Sequence, residues 1–422
     1  MGFDVIATNP FVVNGRTYRP PARPIVVICI DGCADEYLST AIAHGRMPHV
    51  AKMARVGYRG LVRGALPSFT NVNNAAIVSG MPPAITGICG NFFLNPETGE
   101  EVMMNSAEFL RCETIFPAAA RAGRRIAFVT AKDKLRTVLG AGIVEHGGVA
   151  FSSEKVASAQ LATHGIEKVA EIVRRPDPAI YSGDASLYVL QAGRALVESG
   201  RADFLYLSLT DFMQHKYAPD ESPALDFYGQ LDGEIGRLID LNAIVAATAD
   251  HGMNAKHRAD GSPNVVFVQT ELERRFGPGM RVICPITDPY VVHHGALGSL
   301  VMVHLDPGAS QQPDREAVQQ FLFELPGVTE VYTREQACLK LELAPDRIGD
   351  LVVLAARDVV LGRRPEDHDL SVLEEPLRSH GGRYEEMVPL LLSEPVGPKT
   401  RVRLQQDPRN YEVFDFACHG TE

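Results

Sequence analysis

The sequence predicts an α/β fold: a mostly parallel central sheet flanked by helices, with a smaller inserted α+β cap domain. Four runs of apolar, largely β-branched residues show no polar alternation, which is typical of strands buried on both faces of a parallel sheet. Helical patterns lie between these runs, as in α/β proteins with parallel sheets. Three of the four runs stop at an aspartate, which predicts a ligand site at the carboxyl edge of the sheet.

The four predicted strands cover residues 24–30, 125–130, 204–209 and 243–249. The alternating helices are predicted over residues 47–56, with Pro48 near the start, 166–174, 185–198 and 224–239. A further helix is predicted over residues 71–79.

The pattern changes after Asn254, where short strands and helices replace the long buried runs. Strands are predicted over 265–268, 301–304 and 351–354, and helices over 316–324 and 334–341. We therefore expect a core domain over 1–262, a cap over 263–371 and a return to the core over 372–422.

The charge balance excludes several classes of partner. Of the 422 residues, 41 are Lys or Arg and 52 are Asp or Glu, for a formal net charge of −11. This balance argues against nucleic-acid or anionic-membrane binding, which needs a basic face. The sequence has no apolar run long enough to span a membrane and no signal-peptide pattern at its start. Its seven cysteines, odd in number and without CxxC spacing, indicate reduced thiols in a cytoplasmic protein.

Aspartates and histidines in ligand spacing follow the predicted strands. Asp211 and His215 share one face if a helical turn follows the strand, and Asp250 and His251 occupy a tight turn before a glycine. Carboxylate and imidazole ligands suit zinc and similar divalent ions. Six such ligands are too many for one tetrahedral zinc but suit two ions with three each. The candidate ligands are Asp31, Asp211, His215, Asp250, His251 and His380.

Thr70 is the candidate nucleophile. A hydroxyl between two ions would lose its proton readily, while the ions hold phosphoryl oxygens. The helix predicted after Thr70 would add unpaired N–H groups that favour both an alkoxide and a phosphate. The alternative role for Thr70 is a simple helix N-cap. Charge favours the catalytic role, since three aspartates and one alkoxide balance two divalent cations.

The motifs ICIDG, PSFTN, LTDFMQH, ADHG and SHGG occur in an order that resembles the alkaline phosphatase superfamily, on its nucleotide pyrophosphatase/phosphodiesterase branch. Within that branch the segments GICGNFF, VTAKDKL and DHDLS followed by EEPLRSHGG resemble the phosphonoacetate hydrolases. The resemblance covers nearly the whole chain. It implies one zinc ion held by Asp211, His215 and His380, and a second held by Asp31, Asp250 and His251.

The resemblance also implies roles in substrate binding. Thr70 would bridge the metal ions and the substrate, and Asn91 would donate a hydrogen bond to a phosphonate oxygen. Lys132 and Lys134 would receive the substrate carboxylate; without the resemblance, a solvated loop pair is the usual state of such lysines. Thr86 departs from relatives that carry a histidine before GICGN.

The function expected from this resemblance is hydrolysis of the carbon–phosphorus bond of phosphonoacetate to acetate and phosphate, through a phosphothreonine. The expected partners are two divalent ions, most suitably Zn²⁺, and a small phosphonate substrate; a homodimer is compatible with the resemblance. The alternatives are a phosphodiesterase or nucleotide pyrophosphatase with the same metals, a metal-dependent phosphomutase, and a non-catalytic metal-binding protein.

Other reactive side chains have simpler interpretations. His293 and His294 form a tandem pair expected at a surface or domain contact, and His368 is expected to be structural. Cys33 and Cys89 are expected to be small buried thiols near the site.

Overall fold

The computed structural model describes residues 5–286, 295–306, 308 and 314–422. His293 and His294 lie outside the described residues. The strands within the described ranges are, in chain order, β1 (Phe11–Val13), β2 (Arg16–Tyr18), β3 (Ile25–Cys29), β4 (Tyr58–Arg63), β5 (Phe92–Leu94), β6 (Glu101–Met103), β7 (Ile126–Thr130), β8 (Val149–Ser152), β9 (Phe204–Ser208), β10 (Ile244–Thr248), β11 (Asn254–Ala255), β12 (Val265–Phe267), β13 (Met280–Ile283), β14 (Leu300–Leu305), β15 (Val328–Thr333), β16 (Leu351–Ala355), β17 (Val360–Gly362), β18 (Arg378–Ser379) and β19 (Met387–Leu392).

The α-helices of the same ranges are α1 (Asp35–Ala43), α2 (Pro48–Val56), α3 (Thr70–Ser79), α4 (Pro83–Thr86), α5 (Ile115–Arg121), α6 (Asp133–Leu139), α7 (Leu161–His164), α8 (Val169–Val173), α9 (Gly183–Glu198), α10 (Phe212–Lys216), α11 (Ser222–Asp240), α12 (Val268–Phe276), α13 (Arg315–Glu324), α14 (Arg334–Lys340), α15 (Pro398–Arg403) and α16 (Val413–His419). Short 3₁₀ helices cover Ala107–Phe109, Val144–His146, Ser153–Ser158, Pro345–Arg347, Pro365–Asp367, Leu370–Val372, Arg383–Glu385 and Asn410–Glu412.

The central sheet has seven strands in the order β4-β19-β10-β3-β9-β7-β8. The five strands from β10 to β8 are mutually parallel, and β19 runs antiparallel to both β10 and β4. Every residue of β3, β7, β9 and β10 is buried, as the continuous apolar runs predict. The predicted α/β fold with a mostly parallel sheet is confirmed, and the four predicted strands are β3, β7, β9 and β10.

Most of the predicted core helices are confirmed, with α2, α9 and α11 close to their expected bounds. The helix predicted over 166–174 is wrong in its length. Only α8 forms there, because Lys168 and Arg174 on either side of it have φ angles of 53° and 59°. A left-handed residue at each end stops the helix, and the apolar spacing gives no sign of these turns.

The segment after the core strands forms a second, antiparallel sheet in the order β13-β14-β16-β15. Its strands β14 and β16 pack with α12 and α13 around an apolar cluster of their own. The strands and helices predicted for the cap are confirmed as β12, β14, β16, α13 and α14. The edge strands β13 and β15 were not predicted. The domain boundaries at 262 and 371 stay predictions.

Strand order places the three predicted aspartates together. β10, β3 and β9 are adjacent and parallel, and Asp250, Asp31 and Asp211 follow their carboxyl ends. Neighbouring strands lie roughly 4.8 Å apart, so the three carboxylates meet at one edge of the sheet.

No helix in the described part of the chain is long and apolar enough to cross a membrane.

A buried ion pair lies at the opposite end of β9. Asp203 precedes the strand and accepts hydrogen bonds from Arg124 Nε at 2.6 Å and Arg125 Nε at 2.8 Å. The Arg124 side chain has 0% exposure and that of Asp203 has 3%. Because β9 separates this pair from Asp211, its role is structural.

We expect Asp203→Asn to lower the free energy of unfolding by about 3 kcal/mol or more, since it leaves the Arg124 charge buried without its partner. Denaturant unfolding of the metal-free protein measures this loss. The affinity of the variant for zinc should match that of the unchanged protein, and a weaker affinity would contradict the structural role.

Candidate active site

A tight turn after β3 lets the ends of the core strands approach one another. Gly32 follows Asp31 with a φ of +70°, a conformation that glycine adopts without strain. A Cβ at Gly32 would lie 2.9 Å from Asp211 Cβ, closer than carbon atoms pack. Glycine at this position therefore allows Asp31 and Asp211 to share one small volume.

The three candidate histidine ligands are oriented in the same way by backbone carbonyls. Each donates its Nδ1–H to a carbonyl oxygen, an arrangement common around metal sites, and a neutral imidazole then presents its Nε2 lone pair to the cluster. The bonds run from His215 to Arg378 O at 2.8 Å, from His251 to Gly252 O at 2.9 Å and from His380 to Ser68 O at 2.7 Å.

These Nε2 atoms lie against the aspartates. Asp211 Oδ2 is 3.0 Å from His215 Nε2 and 3.8 Å from His380 Nε2, and Asp31 Oδ1 is 3.2 Å from His251 Nε2. The rings of His251 and His380 stack with centroids 3.5 Å apart. The structure thus brings all six predicted ligands to one site.

Two groups within this cluster have donor atoms close enough to hold a metal ion. Asp31, Asp250 and His251 form one group, as the resemblance implies. The second combines Asp211 and His380 with His251, where the resemblance implies His215 instead. His251 belongs to both groups, and its ring stacks on that of His380. His215 Nε2 lies 3.0 Å from Asp211 Oδ2, a member of the second group.

The chemistry of the donor set fits divalent cations. Asp31 Oδ1 is buried and accepts no hydrogen bond of good geometry, although a buried carboxylate oxygen normally has a partner. Burial and the neighbouring Asp31 carboxylate raise the pKa of Asp250 to about 7. Burial and the adjacent His251 and His215 lower the pKa of His380 well below its usual value. At His251 burial, which lowers the pKa, is outweighed by Asp250 and Asp31, which raise it to about 9. Crowded carboxylates next to imidazoles are a donor set that zinc prefers.

Thr70 begins α3 at the edge of this cluster. The preceding Phe69 is extended, and the Thr70 side chain makes no capping hydrogen bond, so the alternative role as an N-cap is wrong. Thr70 Oγ1 instead lies 3.4 Å from His251 Nε2 and 3.4 Å from Lys132 Nζ. Its hydroxyl is therefore next to the candidate metal ligands.

Asn74, one turn after Thr70, was missed by the sequence reasoning. Its Nδ2 donates to Asp250 Oδ2 at 3.0 Å and to the Thr70 carbonyl at 3.0 Å. Its Oδ1 accepts hydrogen bonds from Tyr206 at 2.6 Å and Ser208 at 2.9 Å, both on β9. Asn74 thereby fixes Asp250 relative to Thr70. The only signal in the sequence is its position four residues after Thr70, on the same helix face.

Lys132 follows β7, and its ammonium group lies among the aspartates. Its Nζ is 2.6 Å from Asp31 Oδ2 and 3.1 Å from Asp211 Oδ1. Burial alone would lower its pKa, but Asp211 and Asp31 raise it above the usual range. Lys132 is thus no solvated loop residue. Its ammonium also holds the pKa of Asp211 well below the usual value, against the effect of burial.

A cavity of about 290 Å³ opens onto the cluster. The other predicted substrate-binding residues line it together with Thr70, His215 and His380. Asn91 Nδ2 donates one hydrogen bond to Ile286 O at 3.1 Å, which leaves the amide a second N–H. Lys134 lines the same cavity two residues after Lys132.

Comparison with known proteins identifies the family. The family model of type I phosphodiesterases/nucleotide pyrophosphatases matches residues 25–383. The chain belongs to this family. This match and the similar proteins below confirm the predicted placement in the alkaline phosphatase superfamily and the class of hydrolases.

Solved structures of similar proteins agree. The chain is 44% identical to the phosphonoacetate hydrolase from Sinorhizobium meliloti 1021, solved in complex with phosphonoacetate and with phosphonoformate. The match covers 99% of this chain and 100% of that one, with a TM-score of 0.91. The human ectonucleotide pyrophosphatase/phosphodiesterase 5 shares the fold, at 16% identity, a TM-score of 0.59 and coverage of 94% of each chain.

One curated relative is longer. Ectonucleotide pyrophosphatase/phosphodiesterase family member 1 of Homo sapiens is 27% identical over 243 residues, which are 54% of this chain and 23% of that protein. The chain thus matches about a quarter of the length of this relative.

The remaining residues singled out in the sequence have structural contacts. Cys33 and Cys89 are fully buried, as expected. His368 donates to Gly295 O at 3.0 Å and accepts from the Arg363 N–H at 2.9 Å, so its expected structural role is confirmed. Thr86 is buried, and its hydroxyl accepts a hydrogen bond from the Ile88 N–H at 3.2 Å.

We expect the purified protein to bind about two zinc ions per chain and His380→Ala to bind about one, because this change removes a ligand from one of two sites. Zinc content after dialysis measures the difference. His368→Ala is the control. His368 precedes His380 by a few turns of chain and is also buried, but its ring nitrogens form hydrogen bonds only with backbone atoms. Two ions in His380→Ala, or a loss in His368→Ala, would contradict the assignment.

Proposed function

We propose that this protein is a phosphonoacetate hydrolase that cleaves the carbon–phosphorus bond with two zinc ions and Thr70 as nucleophile. One observation carries the proposal: a cavity that contains a hydroxyl, a metal-ligand cluster and two lysines. The S. meliloti relative, solved with phosphonoacetate and phosphonoformate, supports the same substrate class.

The six aspartate and histidine ligands would hold the ions, with Asp31, Asp250 and His251 at one site and Asp211, His215 and His380 at the other. Zinc ions at these positions would stabilise negative charge on the phosphonate and on the nucleophile. Asp250 is held in place by Asn74, and each histidine by its backbone carbonyl.

In the first step Thr70 Oγ1 attacks phosphorus, and an oxygen–phosphorus bond forms as the carbon–phosphorus bond breaks. The electron pair of the broken bond passes to the CH₂ carbon, which is normally too basic to leave. The adjacent carboxylate delocalises this charge as an enolate. The carbon takes up one proton to give acetate, which balances the proton that the Thr70 hydroxyl gives up. Water then attacks the phosphothreonine, which restores the hydroxyl and releases phosphate.

The two lysines suit this leaving group. Phosphonoacetate separates its phosphorus from its carboxylate by one CH₂ group, so a cation that binds the carboxylate has to line the same small cavity as the nucleophile. Lys132 Nζ is 3.4 Å from Thr70 Oγ1, and Lys134 lines the same cavity. Preorganised positive charge at this point would stabilise the developing enolate more than the ground state. Asn91 would donate its second N–H to a phosphonate oxygen.

Release of inorganic phosphate from phosphonoacetate by the zinc-loaded protein tests the proposal. A phosphodiesterase would instead favour bis(p-nitrophenyl) phosphate or a nucleotide, and a phosphomutase would return the phosphoryl group to an organic acceptor. A non-catalytic metal protein would leave all these substrates unchanged. Absence of phosphate release from phosphonoacetate would refute the proposed activity.

The expected location and assembly stay predictions. All seven cysteines are free thiols, in keeping with a reducing compartment. A cytoplasmic location and a homodimer remain to be tested by fractionation and by light scattering.

We expect Thr70→Ala to abolish turnover while zinc content stays near that of the unchanged protein, because Thr70 contributes the attacking oxygen. Thr70→Ser should keep part of the activity, since the hydroxyl survives. Steady-state phosphate release and zinc analysis measure both. Unchanged turnover by Thr70→Ala would make water the direct nucleophile.

Lys134→Ala should lower kcat/KM for phosphonoacetate by on the order of 2 kcal/mol, roughly 30-fold, because a charge-assisted contact to the leaving group is lost. An aryl phosphate, whose leaving group needs no such contact, should suffer far less. Lys134 is a cleaner test than Lys132, which contacts two candidate metal ligands.

Lys155→Ala is the matched control. Lys155 lines the same cavity and its ammonium group is 2.9 Å from Asp133, between the two lysines, so this variant measures any loss that comes from disturbing the segment rather than from a contact to the carboxylate. Equal losses on both substrates, or an equal loss in Lys155→Ala, would show that Lys134 has no specific role toward the carboxylate.

A further inference from the structure

The two segments that carry His251 and His380 run side by side. β11, three residues after His251, pairs antiparallel with β18, which ends just before His380. Asn254 is opposite Ser379 in this short ladder. Candidate ligands of both metal sites are therefore attached to one two-stranded ribbon.

A fully buried ion pair lies at this ribbon. Lys256 follows β11, Glu385 ends the 3₁₀ helix after the His380 loop, and both side chains have 0% exposure. Lys256 Nζ is 2.9 Å from Glu385 Oε1 and donates a second hydrogen bond to Arg357 O at 2.6 Å. Lysine and glutamate are almost never fully buried unless paired, so this pair is an unusual feature of the core.

Glu385 connects the two ligand segments directly. Its backbone oxygen accepts a hydrogen bond from the N–H of Gly252, the residue after His251, at 2.8 Å. Its Oε2 accepts one from the N–H of Gly382, two residues after His380, at 3.0 Å. Its Oε1 accepts a further bond from Asn254 Nδ2 at 2.6 Å. One residue thus contacts the backbone beside two candidate ligands from distant parts of the chain.

The free-energy cost of burying two charges indicates that this pair does more than stabilise the fold. Taking two charges out of water costs free energy that their attraction often fails to recover, and apolar replacements of such pairs are frequently neutral or stabilising. A neutral side chain could not offer acceptors to Gly382, Asn254 and Lys256 together. Lys256 places a positive charge directly beside the Glu385 carboxylate.

We propose that the Lys256–Glu385 pair is a positioning element that sets the geometry of both candidate metal sites at once. The inference rests on the proposed metal-binding role of His251 and His380. Partners behind metal ligands typically contribute about 10- to 100-fold to metal affinity. Loss of the Glu385 carboxylate should therefore weaken the binding of both ions, whereas loss of the His380 side chain should abolish the binding of one.

The experiment is a competition titration of Zn²⁺ against a chromophoric chelator with Glu385→Gln. Its single amide oxygen cannot accept from all three donors, so we expect both zinc sites to weaken by about 10- to 100-fold. Phosphate release should fall at limiting zinc and return at saturating zinc, with the KM for phosphonoacetate unchanged. Circular dichroism and thermal unfolding of the metal-free proteins verify folding.

Two further variants make the result decisive. If Glu385→Gln does not fold, Lys256→Met/Glu385→Gln removes both charges together and should show the same loss of zinc affinity. Asp203→Asn is the control, because it breaks another buried ion pair at the far end of β9.

Zinc affinities close to the unchanged protein in the Glu385 variants would overturn the inference, as would an equal loss in Asp203→Asn or a protein that binds no zinc. A protein that binds two zinc ions without hydrolysing phosphonoacetate would refute the proposed activity only, and the comparison of affinities would still decide the role of the pair.

Discussion

Three carboxylates buried at one edge of the sheet are the constraint on which the rest of this site depends. Asp250, Asp31 and Asp211 follow the adjacent parallel strands β10, β3 and β9, and all three are buried. Carboxylates that are buried next to one another repel strongly unless cations lie between them, because little water is present to screen their charges. The surroundings supply the compensation: imidazoles oriented by carbonyls, an amide from Asn74 and the ammonium of Lys132. The strands of the core sheet are thus apolar along their length and end at an acidic site that favours the binding of cations.

The part of the chain that follows the parallel strands adds one more candidate ligand, His380, to this edge of the sheet. His380 enters on a loop after the cap sheet, some 130 residues after His251, and is held by the β11–β18 ribbon, the Ser68 carbonyl and the Gly382 contact to Glu385. Arg357, between β16 and β17, donates to Asn254, and its carbonyl accepts from Lys256. The cap segment is therefore in contact with the residues that support the ligands. Through Asn254 and Lys256 it is connected to Glu385, which bonds to the backbone beside His251 and His380.

The parts of this arrangement that could be predicted are those with a local signal. Buried strands ending in aspartate, the Asp211–His215 spacing and the DHG turn indicate both the sheet and the ligands, since strand polarity alone brings them to one edge. The contacts that connect distant segments have no such signal. Asn74 is one polar residue on a buried helix, and Lys256 and Glu385 are 129 positions apart in ordinary-looking sequence. The helix predicted over 166–174 failed for a related reason, because apolar spacing does not reveal two left-handed residues. Lys132 was placed correctly at the edge, but its ion pairs with Asp31 and Asp211 depend on strand order.

Strand order also separates the candidate metal ligands from the two lysines proposed to bind the substrate. The aspartates follow β10, β3 and β9, whereas Lys132 follows β7, the next strand along the sheet, and Lys134 lies in the first turn of α6. Asp133, between the two lysines, is anchored by Ser152 and Lys155, and burial of its carboxylate is outweighed by Arg136 and Lys155, which lower its pKa to about 2. The start of α6 thus has support from Ser152 and Lys155 in addition to the contacts of Lys132 with Asp31 and Asp211. Under the proposed mechanism, the residues that activate phosphorus and those that stabilise the departing charge therefore follow different strands of the sheet.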